Sequence, residues 1–388
     1  MADLLPPADW SQRESLARLV AALGRDNVRY VGGAVRDTLL GLPVKDIDMA
    51  TVLSPEAMIA RLDAARIGQA PTGIDHGTIT AVLEDGPVEI TTLRRDVATD
   101  GRRATVAFST DWREDAARRD FTINALYADP ATREIFDWFG GLEDLAARRV
   151  RFIGDAEERI REDHLRILRY FRFQARFGSQ PADEASENAC RNLAAMLKGL
   201  SRERIGMELM NLLALPDPAP TVTRMAELGV LAVILPEADP AALARLVASE
   251  GAQGVPPDPV RRLAALLPAD GPLAEQIAAR FRLSGAQRKR LATAAARRGD
   301  PGDPRALAYR LGRAAALDRL LIAGADAGAL TGWDIPVLPI KGGDVVAAGV
   351  HAGPEVARTL RAVEERWIAE GFPDEARARA ILAETLSG

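Results

Sequence analysis

The spacing of apolar residues changes several times along the first third of the chain and then settles into one rhythm. Leu16, Leu19, Val20 and Leu23 recur at helical spacing and predict an amphipathic helix over residues 11–24. The run Val28–Val31 predicts a strand, residues 34–40 a helix, and the stretch around Ile47 a second strand. A helix near 55–66 follows, then strand-like runs Thr78–Glu84 and Val88–Leu93. Residues 71–75 (Pro-Thr-Gly-Ile-Asp) and 84–87 (Glu-Asp-Gly-Pro) have the chemistry of turns. From about residue 142 the period is helical almost throughout, in a background rich in Ala, Leu and Arg. These patterns predict an α+β protein: a mixed-sheet head over 1–141, then helical segments over 142–214, 215–300 and 301–388. Proline- and glycine-rich stretches at 215–220, 254–259 and 299–304 mark breaks in the helical part.

Composition narrows the class of protein. A length of 388 residues exceeds one ordinary core, and roughly two to four domains are expected. Aromatics make up only 5% and the net charge is −5, which argues against a strongly basic nucleic-acid binder or a base-stacking platform. Arginine is nonetheless dense from Arg94 to Arg176, a local patch suited to salt-sensitive contact with RNA. Cys190 is the single cysteine, which excludes an intrachain disulfide and a cysteine zinc site. His76, His164 and His351 are far apart and suggest no metal cluster. With no membrane-length apolar run and no basic segment leading into an apolar core, a cytoplasmic location is expected.

The chemistry concentrates in three segments. In the first, Gly32 and Gly33 close an apolar run, and Asp46-Ile47-Asp48 follows after twelve intervening residues, 34 to 45. Glycines at that place let backbone N–H groups approach a triphosphate. Two aspartates at period two on a strand share a face and offer the hard oxygen ligands that Mg²⁺ prefers. Together they suggest metal-assisted nucleotidyl transfer. The string Gly-Gly-Ala-Val-Arg-Asp (32–37) with Asp-Ile-Asp resembles the nucleotidyltransferase superfamily with the DNA polymerase beta palm, in its tRNA nucleotidyltransferase and poly(A) polymerase branch. Arg36 belongs to that string, and the resemblance implies that it helps to hold the triphosphate.

The second segment contains Arg118, Arg119, Asp120 and Asn124. Arginines beside a metal seat suit a triphosphate, because guanidinium groups bind phosphate oxygens with paired hydrogen bonds. Asp120 or Asn124 would reach the ribose hydroxyls. The segment resembles the family motif Arg-Arg-Asp-Phe-Thr-x-Asn-Ala. Glu89, in the strand before it, is a candidate third carboxylate, with a surface ion pair to Arg94 as the alternative. The charged, glycine-containing piece 96–104 is expected to be a loop, similar in position to the family's flexible one.

The third segment runs from Glu162 to Arg176 and is expected to form one helix. On it, Asp163 and Arg166 are i,i+3 neighbours able to face one ligand. A carboxylate accepts the exocyclic amine of cytosine or adenine while a guanidinium donates to the adjacent ring acceptor; UTP and GTP present the opposite pattern. The string resembles the Glu-Asp-x-x-Arg motif of the class II tRNA nucleotidyltransferases, which add the CCA end to tRNA, although His164 stands where proline is usual. Arg169 and Arg172 match further family arginines linked to nucleotide binding. The resemblance implies Mg²⁺ held by Asp46 and Asp48, CTP and ATP as substrates, and the tRNA acceptor stem gripped by the helical body and tail. Poly(A) polymerase and a noncatalytic RNA- or nucleotide-binding paralogue are the alternatives. The bacterial form of the polymerase usually carries a basic C-terminal extension that this chain lacks.

Overall fold

The computed structural model describes residues 3–99, 104–297, 299 and 302–387, which divide into two compact units, 1–236 and 237–388. The first unit contains a seven-stranded sheet in the order β3-β4-β5-β2-β1-β8-β9. Its strands are β1 (Val28–Val31), β2 (Ile47–Thr51), β3 (Gly68–Gly73), β4 (Thr78–Leu83), β5 (Gly86–Thr92), β8 (Tyr127–Ala128) and β9 (Ile135–Phe136). A separate antiparallel pair joins β6 (Arg94–Thr99) to β7 (Ala104–Phe108). Among the described residues only β2 and β5 pair in parallel, and they bring Asp48 directly opposite Glu89. That juxtaposition decides the site, because facing residues in a sheet project from the same side.

Helices α1 (Glu14–Leu23), α2 (Gly33–Leu39), α3 (Pro55–Ala64) and α4 (Trp112–Ala117) interleave with the strands. After the sheet come α5 (Gly141–Ala146), α6 (Ala156–Glu162), α7 (Arg166–Phe177), α8 (Glu184–Leu193), α9 (Arg202–Leu213), α10 (Ala219–Glu227) and α11 (Val230–Ile234). Helix α7 anchors to the head through aromatic rings. Phe121 lies 5.0 Å from both Phe152 and Phe173, and Tyr170 stacks on Phe152 at 5.7 Å. These rings are buried and fix α7 beside the chain segment that carries Asp120.

Three local expectations need correction. Residues 71–75 were expected to turn, yet 68–73 form β3, with a register shift between Ala70 and Gly73. An edge strand tolerates Pro71 because its missing N–H need not serve a neighbour. The loop expected over 96–104 is largely strand, since β6 and β7 reach Thr99 and Ala104; residues 100–103 lie outside the described residues. Both arms are rich in β-branched Val and Thr, which favours pairing. The single helix expected from Glu162 onward is broken at Asp163, where the backbone is extended (φ −149°, ψ 106°) between α6 and α7.

The second unit is helical, with α12 (Pro240–Ala252), α13 (Pro259–Leu266), α14 (Gly271–Arg280), α15 (Gly285–Ala295), α16 (Pro304–Leu311) and α17 (Arg313–Ile322), then α18 (Gly342–Ala347), α19 (Pro354–Ala369) and α20 (Glu375–Ser387). The break foreseen at 299–304 falls between α15 and α16, with residues 300 and 301 outside the described residues. One apolar cluster gathers Ile340, Val345, Val363, Trp367 and Ile381. Another part is held by buried charge. Glu250 of α12 accepts from Arg261 Nε at 2.7 Å and Arg262 Nε at 2.8 Å, and Asp318 of α17 accepts from Arg290 at 2.8 and 2.9 Å. No helix among the described residues is long and apolar enough to cross a membrane. Replacing Glu250 by Ala removes the carboxylate that the two buried guanidinium groups of Arg261 and Arg262 share. Urea denaturation should show a loss of about 3–5 kcal/mol, the usual cost of breaking a buried pair from one side.

Candidate active site

A cleft of about 590 Å³ opens in the first unit where β1, β2 and β5 face α7 and α9. Of the residues expected to act there, Asp48, Glu89, Arg119 and Asp120 line it from the head side. Asp163, Arg166 and Arg169 line it from the helical side. The three sequence segments, represented by Asp48, by Arg119 with Asp120, and by Asp163 with Arg166 and Arg169, thus converge on one space.

The carboxylates form the first end of the cleft. Asp46 is exposed and lies just before β2, whose first residue is Ile47, while Asp48 is half-buried within the strand. The expected strand pair is therefore an aspartate at the strand's mouth and one inside it. Burial pushes the Asp48 carboxyl up, the negative charges of Glu89 and Asp46 add to this, and Arg119 opposes it. Mutual repulsion of this kind marks a place that a cation would relieve. No group of three or more histidine, cysteine or acidic side chains stands in ready ligating geometry among the described residues. Two aspartates with Glu89 alongside still fit Mg²⁺, which normally keeps several waters and takes the rest of its shell from substrate phosphates.

Arg119 stands next to this seat. Its Nε donates to the Tyr127 hydroxyl at 2.9 Å and its Nη2 to Asp115 at 3.3 Å. A Cβ on Gly32 would lie 3.5 Å from Arg119 Nη1, so that edge of the guanidinium reaches the first turn of α2. Gly32 there has φ 66° and ψ −121°, a conformation that L side chains rarely adopt. Gly33 follows as the first residue of α2.

Arg36 and Asn124 are placed differently from expectation, behind the cleft instead of on its wall. Arg36 is only 6% exposed, donates to Asp37 at 2.8 Å and also to the Asn124 side-chain oxygen, and lies 4.2 Å from the Phe177 ring centre. Asn124 Nδ2 in turn donates to Asp120 Oδ1 at 3.0 Å. Asp120 Oδ2 accepts from Arg169 Nε at 2.7 Å and also from its Nη2. Burial alone would raise the Asp120 carboxyl, but Arg169 and Asn124 outweigh it and hold it below the ordinary carboxylate range. The result is a buried polar relay from α2 through the 121–125 segment to α7.

The far end of the cleft holds the base-reading candidates, each with a protein partner. Asp163 Oδ1 accepts from the Leu165 backbone N–H at 3.1 Å, which stabilises the break before α7, and Oδ2 accepts from Arg204 at 2.7 Å. Arg166 donates to Glu162 at 2.5 Å and to the carbonyls of Arg159 and Arg118 at 2.9 and 3.2 Å. Arg172 turns away to Glu208 of α9 at 2.7 Å. Arg118, the other member of the expected arginine pair, also lines the cleft, as do Arg204, Met207 and Glu208, which were not foreseen as site residues. The i,i+4 spacing of Arg204 and Glu208 put them on one face of α9, and that was the available signal.

Comparison with known proteins places the chain. Residues 28–151 match the Poly A polymerase head domain, and residues 182–242 match a probable RNA and SrmB-binding site of polymerase A. The mitochondrial CCA tRNA nucleotidyltransferase 1 of Mus musculus is 35% identical over 380 residues, covering 92% of this chain and 87% of that one. The chain belongs to the CCA tRNA nucleotidyltransferase family. The CCA-adding enzyme of Streptococcus uberis is 42% identical over 190 residues, 48% of this chain and 46% of its own. Among solved structures, the Bacillus stearothermophilus CCA-adding enzyme in complex with CTP aligns with a TM-score of 0.72 and 28% identity, covering 96% of each chain. A Thermotoga maritima CCA-adding enzyme complexed with tRNA aligns with a TM-score of 0.69 at 21% identity, over 96% of this chain and 94% of that one, a likeness of fold. This enzyme family carries the α+β head and helical remainder read from the sequence.

The Asp120 relay has a pH signature. A carboxyl held below its ordinary value stabilises the fold above that value and loses the contribution as pH falls through the native one. Asp120→Asn should therefore destabilise the protein most at pH 6–8, and its difference from the parent should narrow below about pH 4. Urea midpoints measured across that range check the sign.

Proposed function

We propose that this chain adds nucleotides from CTP and ATP to the 3′ end of tRNA without a nucleic-acid template, building its CCA terminus. The observation that carries the reading is the convergence, in one cleft, of the Asp48–Glu89 row, Arg119, and the pair Asp163 and Arg166. Asp46 and Asp48 are the proposed metal ligands, with Glu89 as a supporting carboxylate. Bound Mg²⁺ would favour deprotonation of the tRNA 3′-hydroxyl and neutralise charge on the departing pyrophosphate. Arg119 holds triphosphate oxygens, with Gly32 and Gly33 leaving the α2 entrance open to them.

Selection of the base falls to Asp163 and Arg166. The Asp163 carboxylate accepts the exocyclic amine that cytosine and adenine share, and Arg166 donates to the neighbouring ring nitrogen. Uracil and guanine would bring a carbonyl to the carboxylate and an N–H to the guanidinium, leaving charged groups unsatisfied. Both side chains already have protein partners, so a base gains only by replacing the Arg204 and Glu162 contacts with equally directed bonds. Asp120 and Arg169 set the wall between phosphate and base ends, and Arg36, Asn124 and Arg172 act from behind it.

The helical segments 142–214, 215–300 and 301–388 are proposed as neck, body and tail, the latter two gripping the acceptor stem through phosphate and 2′-hydroxyl contacts. The cytoplasm is the proposed compartment; the mitochondrial relatives make fractionation of tagged protein the relevant check.

Purified protein with Mg²⁺ and labelled CTP or ATP, on tRNAs ending before C74, after C74 and after C75, tests the reading. Product sequencing should show completion to CCA. A long A tail on any RNA would favour the polymerase, and no incorporation would favour a binding module. Asp46→Ala and Asp48→Ala should each lower transfer by at least about a hundredfold while tRNA binding persists. Asp163→Ala or Arg166→Ala should instead erode CTP-over-UTP choice, measured as the ratio of kcat/KM values.

A further inference from the structure

Arg119 has a support that the proposed reaction does not use directly. Asp115, at the C-terminal half of α4, is 1% exposed, and its two carboxylate oxygens are divided between neighbours. Oδ1 accepts from Arg118 Nε at 2.8 Å and from the Arg94 backbone N–H at 3.2 Å. Oδ2 accepts from Arg119 Nη2 at 3.3 Å and from the Tyr127 hydroxyl at 2.5 Å. That hydroxyl also accepts from Arg119 Nε, so it donates to the carboxylate and accepts from the guanidinium at once. Tyr127 is fully buried, with Trp112 and Trp138 against its ring at 6.0 and 5.5 Å.

We infer that Asp115 and Tyr127 are positioning residues that clamp one edge of Arg119 and leave its Nη1 edge for the triphosphate. The inference rests on the reading of Arg119 as a phosphate ligand and adds how that ligand is held. A free arginine loses substantial rotamer entropy when it binds a phosphate, whereas a guanidinium already held on two nitrogens has lost it on folding. The clamp also fixes the direction in which the planar group presents its remaining donors. Burial pushes the Asp115 carboxyl up, but Arg119 and Arg118, with the Tyr127 hydroxyl, outweigh it and keep it ionised. Orientation by a buried acid and a phenol bridge is thus built into the head, independent of which base is bound.

Tyr127→Phe keeps the ring and removes the bridge. KM for CTP and for ATP should rise together by roughly tenfold, the scale of losing an orienting contact, with CTP-over-UTP discrimination unchanged. Asp115→Asn should act in the same direction. In an Arg119→Ala background, Tyr127→Phe should add nothing to KM, because its effect passes through the missing side chain. A full Tyr127→Phe effect in that background, or unchanged KM in Tyr127→Phe alone, overturns the clamp. Unchanged KM in Arg119→Ala alone would instead overturn the phosphate role on which it rests, so the two failures are distinguishable. If Asp115→Asn does not fold, the Tyr127→Phe cycle decides alone.

Discussion

The carboxylate of Asp120 is the contact on which the two halves of the cleft depend. It is buried, and it is shared between Arg169 of α7 and Asn124 beside the sheet, which in turn holds Arg36 of α2. A buried carboxylate that accepts from the Arg169 guanidinium, the Asn124 amide and the Phe121 backbone N–H is firmly fixed, and removing Arg169 strands charge in a dry place. The aromatic stack of Phe121, Phe152, Tyr170 and Phe173 seals the same junction with apolar surface. Direction comes from the ion pair, and much of the adhesion from the rings.

Because that junction is rigid, the cleft can hold two different chemistries at a set separation. At one end, Asp48 and Glu89 face each other across the parallel β2–β5 pair, a crowding of like charge that invites a cation. At the other, Asp163 lies in the break between α6 and α7 and Arg166 opens α7, each with a protein partner. In the proposed function, the Asp163–Arg204 and Arg166–Glu162 contacts keep the base-reading groups satisfied, so a wrong base would displace good bonds for poor ones. Under that proposal, selectivity would follow from the cost of unpaired charge as much as from attraction to cytosine or adenine.

Much of this was legible in the sequence because the informative residues are adjacent to strong local signals. Val28–Val31 is a strand with the bounds that its apolar run predicts, and Gly32 is needed where the chain turns with positive φ. The opposition of Asp48 and Glu89 was not legible, since strand register between segments forty residues apart depends on the whole sheet. The break at Asp163 was hidden because the side chain that ends the helix is the one expected to read the base; it bonds the Leu165 N–H instead of continuing the turn. Arg36 was misplaced for a related reason. An arginine beside a phosphate loop reads as a ligand, but partners 88 residues away draw it into the interior.

In the proposed function, one cleft joins a carboxylate metal seat to a protein-made reader of C and A. A crystal structure of the chain with CTP and Mg²⁺ tests it most directly. The metal is expected on Asp46 and Asp48, the triphosphate against Arg119, and the cytosine edge on Asp163 and Arg166. A nucleotide whose base lies away from that pair, with the Arg204 and Glu162 contacts undisturbed, would contradict it.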